Sequence, residues 1–132
     1  MRRRHLLFTL VAAALAPSPL AHAQEGEGPK TKQRYLQMKT VAVSIVHMGG
    51  RRGVLTVEVG VDVPDPSFRN RIELYLPLLY SAYVSALQPY ALGLSPGQPP
   101  NADYIALTLQ RETDRVLGRK GAKLLLGSIL MN

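Results

Sequence analysis

The sequence contains no cysteine and only three histidines. Without cysteine the chain can form no disulfide bond, no thiolate metal site and no thiol nucleophile. Two of the histidines, His5 and His22, fall in an N-terminal segment that differs from the rest of the chain, and His47 stands alone. A metal site built on paired histidines is therefore not predicted, and the domain must be held together by its hydrophobic core.

The sequence also lacks an apolar run long enough to cross a membrane. Leu6–Ala16 is apolar apart from Thr9, whereas a spanning helix needs about 20 such residues. Three arginines precede this run, and a small-x-small motif that ends at Ala23 follows it. This order predicts a secretory signal peptide over residues 1–23, cleaved after Ala23. The alternative is an uncleaved N-terminal anchor over residues 6–23.

The start of this leader resembles a twin-arginine export motif. Arg3 and Arg4 are followed by one free position and then by Leu6 and Leu7, which is the pattern of that pathway. The alternative is an ordinary Sec leader that begins with three arginines. Both routes predict a mature protein in the periplasm.

Positive charge is present but not concentrated in one place. The formal net charge is +7, and loss of the three leader arginines lowers it to +4. The remaining basic residues are dispersed along the chain, so composition does not favour a nucleic-acid-binding protein. Residues 24–34 contain no large apolar side chain, which predicts a flexible linker before a domain at 35–132.

Two segments of alternating apolar and polar residues follow the linker. The first lies within Tyr35–Met48 and the second is Val54–Val63, with the glycine-rich stretch Gly49–Gly53 between them. Two alternating runs around a short glycine turn predict an antiparallel hairpin. Arg51 and Arg52 lie in this turn. They could hold an anion, and the alternative is a solvated hairpin tip.

A helical pattern begins after the second strand. Asp65 is a good N-cap and Pro66 suits the first helical position. Pro77 predicts a kink or two short helices, and Pro89 predicts the end of the element. Residues on one broad face form the predicted inner stripe: Phe68, Ile72, Tyr75, Leu76, Leu79, Tyr83, Ala86 and Leu87.

A second helix and a final strand complete the domain. Asn101 is the predicted N-cap, Gly118 the predicted end, and Lys123–Met131 the predicted strand, with a buried helical turn as the alternative for that last segment. The fold class is therefore α+β, with the hairpin and the C-terminal strand in one sheet and two helices packed on one face. The predicted inner stripe of the second helix is Ile105, Leu109, Glu112 or Thr113, and Val116.

The polar residues do not form a catalytic pattern. Glu58 and Asp62 share one face of a strand. Such paired carboxylates could bind a cation, although a solvated sheet face explains them as well. Ser81 and Ser85 lie one helical turn apart without a base beside them, so nucleophilic catalysis is not supported. We predict no enzyme activity, cofactor or metal.

The aromatic residues point to a contact surface. Tyr75 and Tyr83 belong to the inner stripe of the first helix, whereas Tyr80 falls outside it. Tyrosine is enriched at protein interfaces. Tyr80, together with Arg51 and Arg52 at the hairpin turn, is therefore the predicted set of interface residues.

The order of these segments resembles a known family. The strand at 52–63 ends in acidic and proline residues, and the first helix contains Arg71-Ile72-Glu73, Leu76-Pro77 and the run from Ser81 to Leu87. A second helix at 109–117 and a terminal strand at 124–132 follow. From about Val41 to Asn132 the chain resembles the periplasmic domain of the flagellar basal body-associated protein FliL.

The resemblance implies a stomatin-like fold and a non-enzymatic role beside the flagellar stator. Members of that family usually keep an N-terminal transmembrane helix, whereas this chain has the features of a cleavable leader. We therefore expect an exported interaction module that contacts a protein partner in the cell envelope, with self-association as one form, and the membrane only indirectly. The alternatives are a periplasmic binding protein or chaperone-like adaptor unrelated to motility, and an enzyme.

Overall fold

The computed structural model describes residues 34–95 and 97–132. The predicted leader, its cleavage site after Ala23 and residues 24–33 of the predicted linker lie outside these ranges. Arg34, the last residue assigned to the linker, is bound to the domain. Its guanidinium donates two hydrogen bonds to the Asp62 carboxylate, at 3.2 and 3.0 Å, and its carbonyl accepts one from Val63 N–H. The ordered domain therefore includes Arg34.

One four-stranded antiparallel sheet is built around a long central strand. The strands are β1 (Tyr35–Gln37), β2 (Val41–Val46), β3 (Arg52–Asp62) and β4 (Lys123–Met131). β1 and β2 lie end to end along one edge of β3, and β4 pairs with the other edge. The predicted hairpin and its pairing with the C-terminal strand are confirmed, and the first strand region is divided in two.

The division between β1 and β2 is a bulge. Gln37 pairs with Gly60 and Val41 with Val57, so three residues on one strand lie opposite two on β3. The extra residue bends the strand at Met38–Thr40. The turn between β2 and β3 contains the short 3-10 helix Met48–Gly50, in which Gly49 and Gly50 have φ values of 81° and 78°. Residues with a Cβ rarely adopt these angles, which explains the glycine pair.

The first helix, α1, spans Pro66–Leu92. Asp65 caps it by accepting a hydrogen bond from Ser67 N–H at 3.0 Å. The prediction of two short helices is wrong, because α1 is one helix through Pro77. The prediction that Pro89 ends it is also wrong: the helix continues for three residues, and Gly93 N–H donates to the Pro89 carbonyl. Each proline removes one helical hydrogen bond, and burial of residues on both sides of Pro77 outweighs that loss.

The second helix, α2, spans Ala102–Leu117. Asn101 caps its start, and Gly118, with φ of 70°, ends it in the left-handed conformation, as the sequence predicted. Its buried stripe is Ile105, Leu109, Thr113 and Leu117. Thr113 is thus the inner residue of the two candidates, and Leu117 is buried where Val116 had been predicted.

Both helices cover one face of the sheet, as predicted. The alternating residues of β3 from Leu55 to Val63 are almost fully buried there, together with Val41, Val43 and Ile45 of β2. They pack against the buried side chains of α1 and α2 in a single hydrophobic cluster. Within the described ranges, neither helix is both long and apolar enough to traverse a lipid bilayer.

Candidate functional site

The outer face of α1 carries no charge over most of its length. Glu73 is the last charged residue of the helix, and none occurs from Leu74 to Leu92. Leu74 and Leu78 nevertheless point into solvent, with 80% and 56% of their surface exposed. A helix on the surface of a soluble domain normally carries polar and charged residues on its outer side. The outer side of α1 therefore has the composition of a contact surface.

The second helix provides the comparison within the same fold. α2 has the same kind of buried stripe, but charged residues occupy its outer side, among them Asp103, Arg111 and Arg115. Leu107 is an exposed leucine on this helix, 65% exposed, and exposed apolar residues among charged ones are ordinary. The difference between the two helices is consistent with α2 facing solvent and α1 facing a partner.

The exposed residues of α1 form a regular stripe. Arg71, Leu74, Leu78, Ser81 and Ser85 are all exposed and are spaced alternately three and four residues apart. This spacing places them in one line along the helix. We call these five residues the α1 stripe. Its centre is apolar, and the two serines leave room for the close approach of another backbone.

A pocket of about 350 Å³ lies beside this stripe. It is lined by Gln37, Met38, Lys39, Leu76, Pro77 and Tyr80, and we call it the Tyr80 pocket. The bulge between β1 and β2 supplies one wall and the middle of α1 supplies the other. The walls are mainly apolar, and the pocket is large enough for one bulky side chain of a partner.

One cation stands at the rim of the Tyr80 pocket. Lys39 Nζ lies 5.4 Å from the centroid of the Tyr80 ring, a distance at which the ammonium group is attracted to the ring face. Among the described residues, neither Lys39 nor Arg71 of the α1 stripe takes part in an ion pair, whereas Arg69 on the same helix pairs with Glu73. The α1 stripe and the rim of the Tyr80 pocket thus carry two positive charges without an ion-pair partner among the described residues.

The three residues predicted as an interface are placed in two different regions. Tyr80 is half-buried, packed partly against the core, and forms a wall of the pocket. Arg51 and Arg52 are exposed at the hairpin tip and do not line this pocket. The structure therefore does not bring them together with Tyr80, and a binding role for any of the three stays a prediction.

A second, more polar pocket of about 440 Å³ lies where α2 meets the start of β4. Asp62, Asp114, Lys120 and Lys123 contribute charges of both signs to its wall. Its two carboxylates already have partners, because Asp62 accepts from Arg34 and Asp114 accepts from Gln110 Nε2 at 3.1 Å. We call it the corner pocket.

The carboxylates that the sequence placed on one strand face are engaged separately. Glu58 Oε2 accepts a hydrogen bond from Ser128 N–H at 3.2 Å, and Asp62 binds Arg34. Within residues 34–95 and 97–132, no group of three or more histidine, aspartate or glutamate residues is arranged to hold a metal ion. The Nε2 atom of His47 instead lies 3.2 Å from the carbonyl oxygen of Asn132.

The most perturbed titratable group belongs to the core. Tyr83 on α1 and Thr113 on α2 form a buried hydrogen bond. Thr113 Oγ1 donates its proton to the Leu109 carbonyl, so the Tyr83 hydroxyl is the donor to Thr113. Burial raises the pKa of Tyr83 to about 12, because the phenolate would lose its hydration. This pair joins the two helices.

Sequence reasoning identified Tyr80 but missed the surface around it. Lys39 and Met38 could not be assigned to a binding surface from the sequence, because the bulge that places them beside α1 depends on the tertiary structure. The exposed leucines could have been found. Leu74 and Leu78 fall outside the inner stripe, and the absence of charge after Glu73 is visible in the sequence.

Compared with known proteins, the chain matches no protein-family model, no curated protein and no solved structure.

Proposed function

We propose that this chain is an exported, non-enzymatic interaction module of the periplasm that docks on a protein of the cell envelope through the outer side of α1. The flagellar motor is the envelope complex that the FliL-like order of segments favours. The proposal assigns the binding role to the α1 stripe and the adjoining Tyr80 pocket.

The observation that carries the proposal is the outer side of α1 after Glu73, which bears no charge and exposes Leu74 and Leu78. Exposing Leu74 and Leu78 to water is unfavourable by about 25 cal/mol for each Å² of apolar surface. A contact that covers them recovers this free energy, and contiguous apolar patches on small domains commonly mark interaction sites. The charged outer side of α2 shows that the same chain can make an ordinary solvated helix.

A second candidate function is the binding of a small polar ligand in the periplasm, unrelated to motility. The corner pocket favours it, because Lys120 and Lys123 on its wall are cations and Asp62 and Asp114 are anions. A zwitterionic compound would match such a wall. The existing hydrogen bonds of both carboxylates weaken this alternative, since a ligand would have to compete with Arg34 and Gln110.

Chemical cross-linking in intact cells tests the docking role. The full chain should give a discrete cross-linked adduct of higher mass. A carboxylate inside the apolar contact would be desolvated without a partner, so Leu78→Glu should remove the adduct. Leu107→Glu, at a similarly exposed leucine on α2, should keep it. An adduct that both variants retain would contradict docking through α1.

Swimming tests the flagellar part separately. Cells without this chain should assemble flagella in normal number and swim slowly, and the wild-type chain should restore their speed. Leu107→Glu should restore it as well, whereas Leu78→Glu should not. Normal swimming in the deleted strain would contradict association with the motor and leave another envelope complex as the partner.

A further inference from the structure

The α1 stripe has the spacing that helices use to pack on one another. Arg71, Leu74, Leu78, Ser81 and Ser85 alternate at intervals of three and four residues, which is the a and d spacing of a heptad pattern. Leu74 and Leu78 are followed along the line by Ser81 and Ser85, whose small side chains leave space there for the side chains of a facing helix. The side-chain repeat of an extended strand does not match this three-and-four spacing.

The charges around the stripe restrict the partner further. Arg71 begins the stripe and Lys39 stands at the rim of the Tyr80 pocket, and neither has an ion-pair partner among the described residues. The nearest acid of α1, Glu73, pairs with Arg69 at 2.9 Å. A partner that brings carboxylates to Arg71 and Lys39 would gain attraction at both, whereas a basic partner would be repelled.

From these observations we infer that the partner presents an amphipathic helix with an apolar face and flanking acidic residues. Its apolar side chains pack between Leu74 and Leu78, one of them enters the Tyr80 pocket, and its carboxylates face Arg71 and Lys39. This inference rests on the proposed function, since it names the kind of partner that the α1 stripe takes.

Two other occupants fit the surface less well. A second copy of this chain, paired symmetrically through the same stripe, would offer no acid from that stripe to Arg71 or Lys39. A lipid surface would favour a broad apolar face rimmed by many cations. The α1 stripe is instead a narrow line of two leucines followed by Ser81 and Ser85, with Arg71 at its start and Lys39 beside it.

Designed helical peptides test the inference directly. One peptide carries leucine at the a and d positions of three heptads and glutamate at e and g, and its twin carries lysine in place of every glutamate. Like charges at e and g keep each peptide from pairing with itself. The affinity of the purified full chain for each labelled peptide is measured by fluorescence anisotropy, and vesicles of anionic lipid serve as a third probe.

We expect the acidic peptide to bind at least about tenfold more tightly than its lysine twin, which corresponds to about 1.4 kcal/mol. Leu78→Glu should weaken its binding by about tenfold or more, and Leu107→Glu should not change it. The double variant Lys39→Glu, Arg71→Glu should reverse the preference towards the lysine peptide.

Other outcomes separate the inference from the proposed function. Equal binding of both peptides, or binding to vesicles and to neither peptide, would overturn the acidic helical partner. If the in-cell adduct is still lost in Leu78→Glu, docking through α1 stands with a different kind of partner. If Leu78→Glu keeps the adduct, docking through α1 fails as well.

Discussion

The side-chain amide of Gln88 binds both backbone groups of Ser44. Ser44 N–H donates to Gln88 Oε1 at 3.3 Å, and Gln88 Nε2 donates to the Ser44 carbonyl at 2.9 Å. Gln110 of α2 binds backbone groups of two residues at the opposite edge of the sheet: it accepts from Leu124 N–H at 2.8 Å and donates to the Ala122 carbonyl at 2.9 Å. One glutamine from each helix thus covers part of each sheet edge, where unpaired backbone groups would invite association with another strand.

Replacing Gln88 should expose the β2 edge. Gln88→Ala removes both hydrogen bonds and should lower the free energy of unfolding by about 1–2 kcal/mol, measured by urea denaturation. Gln88→Glu keeps the acceptor for Ser44 N–H but places a carboxylate beside the Ser44 carbonyl, so we expect a similar loss. If both variants were as stable as the wild type, the bonds to Ser44 would contribute nothing.

Burial of the Tyr83 hydroxyl should make stability fall at alkaline pH. The pKa of Tyr83 is raised from 10.0 to about 12 in the folded chain. Its contribution is therefore complete below pH 10 and is lost as pH rises from about 10 to 12, where the unfolded chain releases the phenolic proton first. Tyr83→Phe should show a smaller decline over this window. The measurement is urea unfolding of both proteins at several pH values.

If the wild type and Tyr83→Phe lost stability with the same slope between pH 10 and 12, Tyr83 would not be the group responsible for the decline. Thr113→Val is the matched control. It keeps the volume of the side chain and leaves the Tyr83 hydroxyl buried without its acceptor, so it should destabilise the chain by about 1–3 kcal/mol already at neutral pH.

The bulge in β4 should require glycine at position 127. Gly127 and Ser128 lie opposite the single residue Glu58, between the pairs Val57–Ile129 and Val59–Leu126. A Cβ on Gly127 would lie 2.9 Å from Glu58 Oε2 and 3.0 Å from Glu58 Cβ. Gly127→Ala should therefore destabilise the chain by about 1–3 kcal/mol, measured by thermal unfolding.

A double variant separates this steric effect from glycine's backbone freedom. Adding Glu58→Ala removes the closer of the two contacts, so Gly127→Ala should cost less in that background than in the wild type. The same cost in both backgrounds would show that Glu58 does not restrict position 127.

The Tyr80 pocket and the hairpin tip should differ in their effect on partner binding. Tyr80→Ala removes a wall of the pocket and should weaken the in-cell adduct, since buried tyrosines often contribute strongly to interfaces. Arg51→Ala combined with Arg52→Ala should leave the adduct unchanged, because these residues lie outside the pocket. Loss of the adduct in the arginine variant alone would move the docking site to the hairpin tip.

Local patterns predicted much of the fold. The alternating valines of β3 and the four-residue steps of Ile105, Leu109 and Thr113 report burial directly, because strand and helix periods fix which side chains face the sheet. The caps at Asp65, Asn101 and Gly118 could also be assigned from the sequence, because each depends on only a few neighbouring residues. The α+β class followed from the order of these elements.

Features that depend on distant residues could not be predicted in this way. Pro77 and Pro89 indicated breaks that the packing of α1 overrides. The bulge at Lys39 forms a pocket wall only together with Tyr80, which is distant in the sequence. The bulge at Gly127 likewise depends on a distant residue, Glu58. The Tyr80 pocket forms between the first of these bulges and α1. The sequence could therefore identify Tyr80 as a candidate but not the surface around it.

The central claim, that a partner covers the outer side of α1 in the cell, can be tested by substituted-cysteine labelling. The chain contains no cysteine, so Leu78→Cys and Leu107→Cys each introduce one thiol at a site of similar exposure, 56% and 65% in the isolated chain. Alkylation rates by a maleimide are compared between intact cells and purified protein. We expect position 78 to react several-fold more slowly in cells than when purified, whereas position 107 reacts equally in both. Equal rates at position 78 in cells and in purified protein would contradict the account.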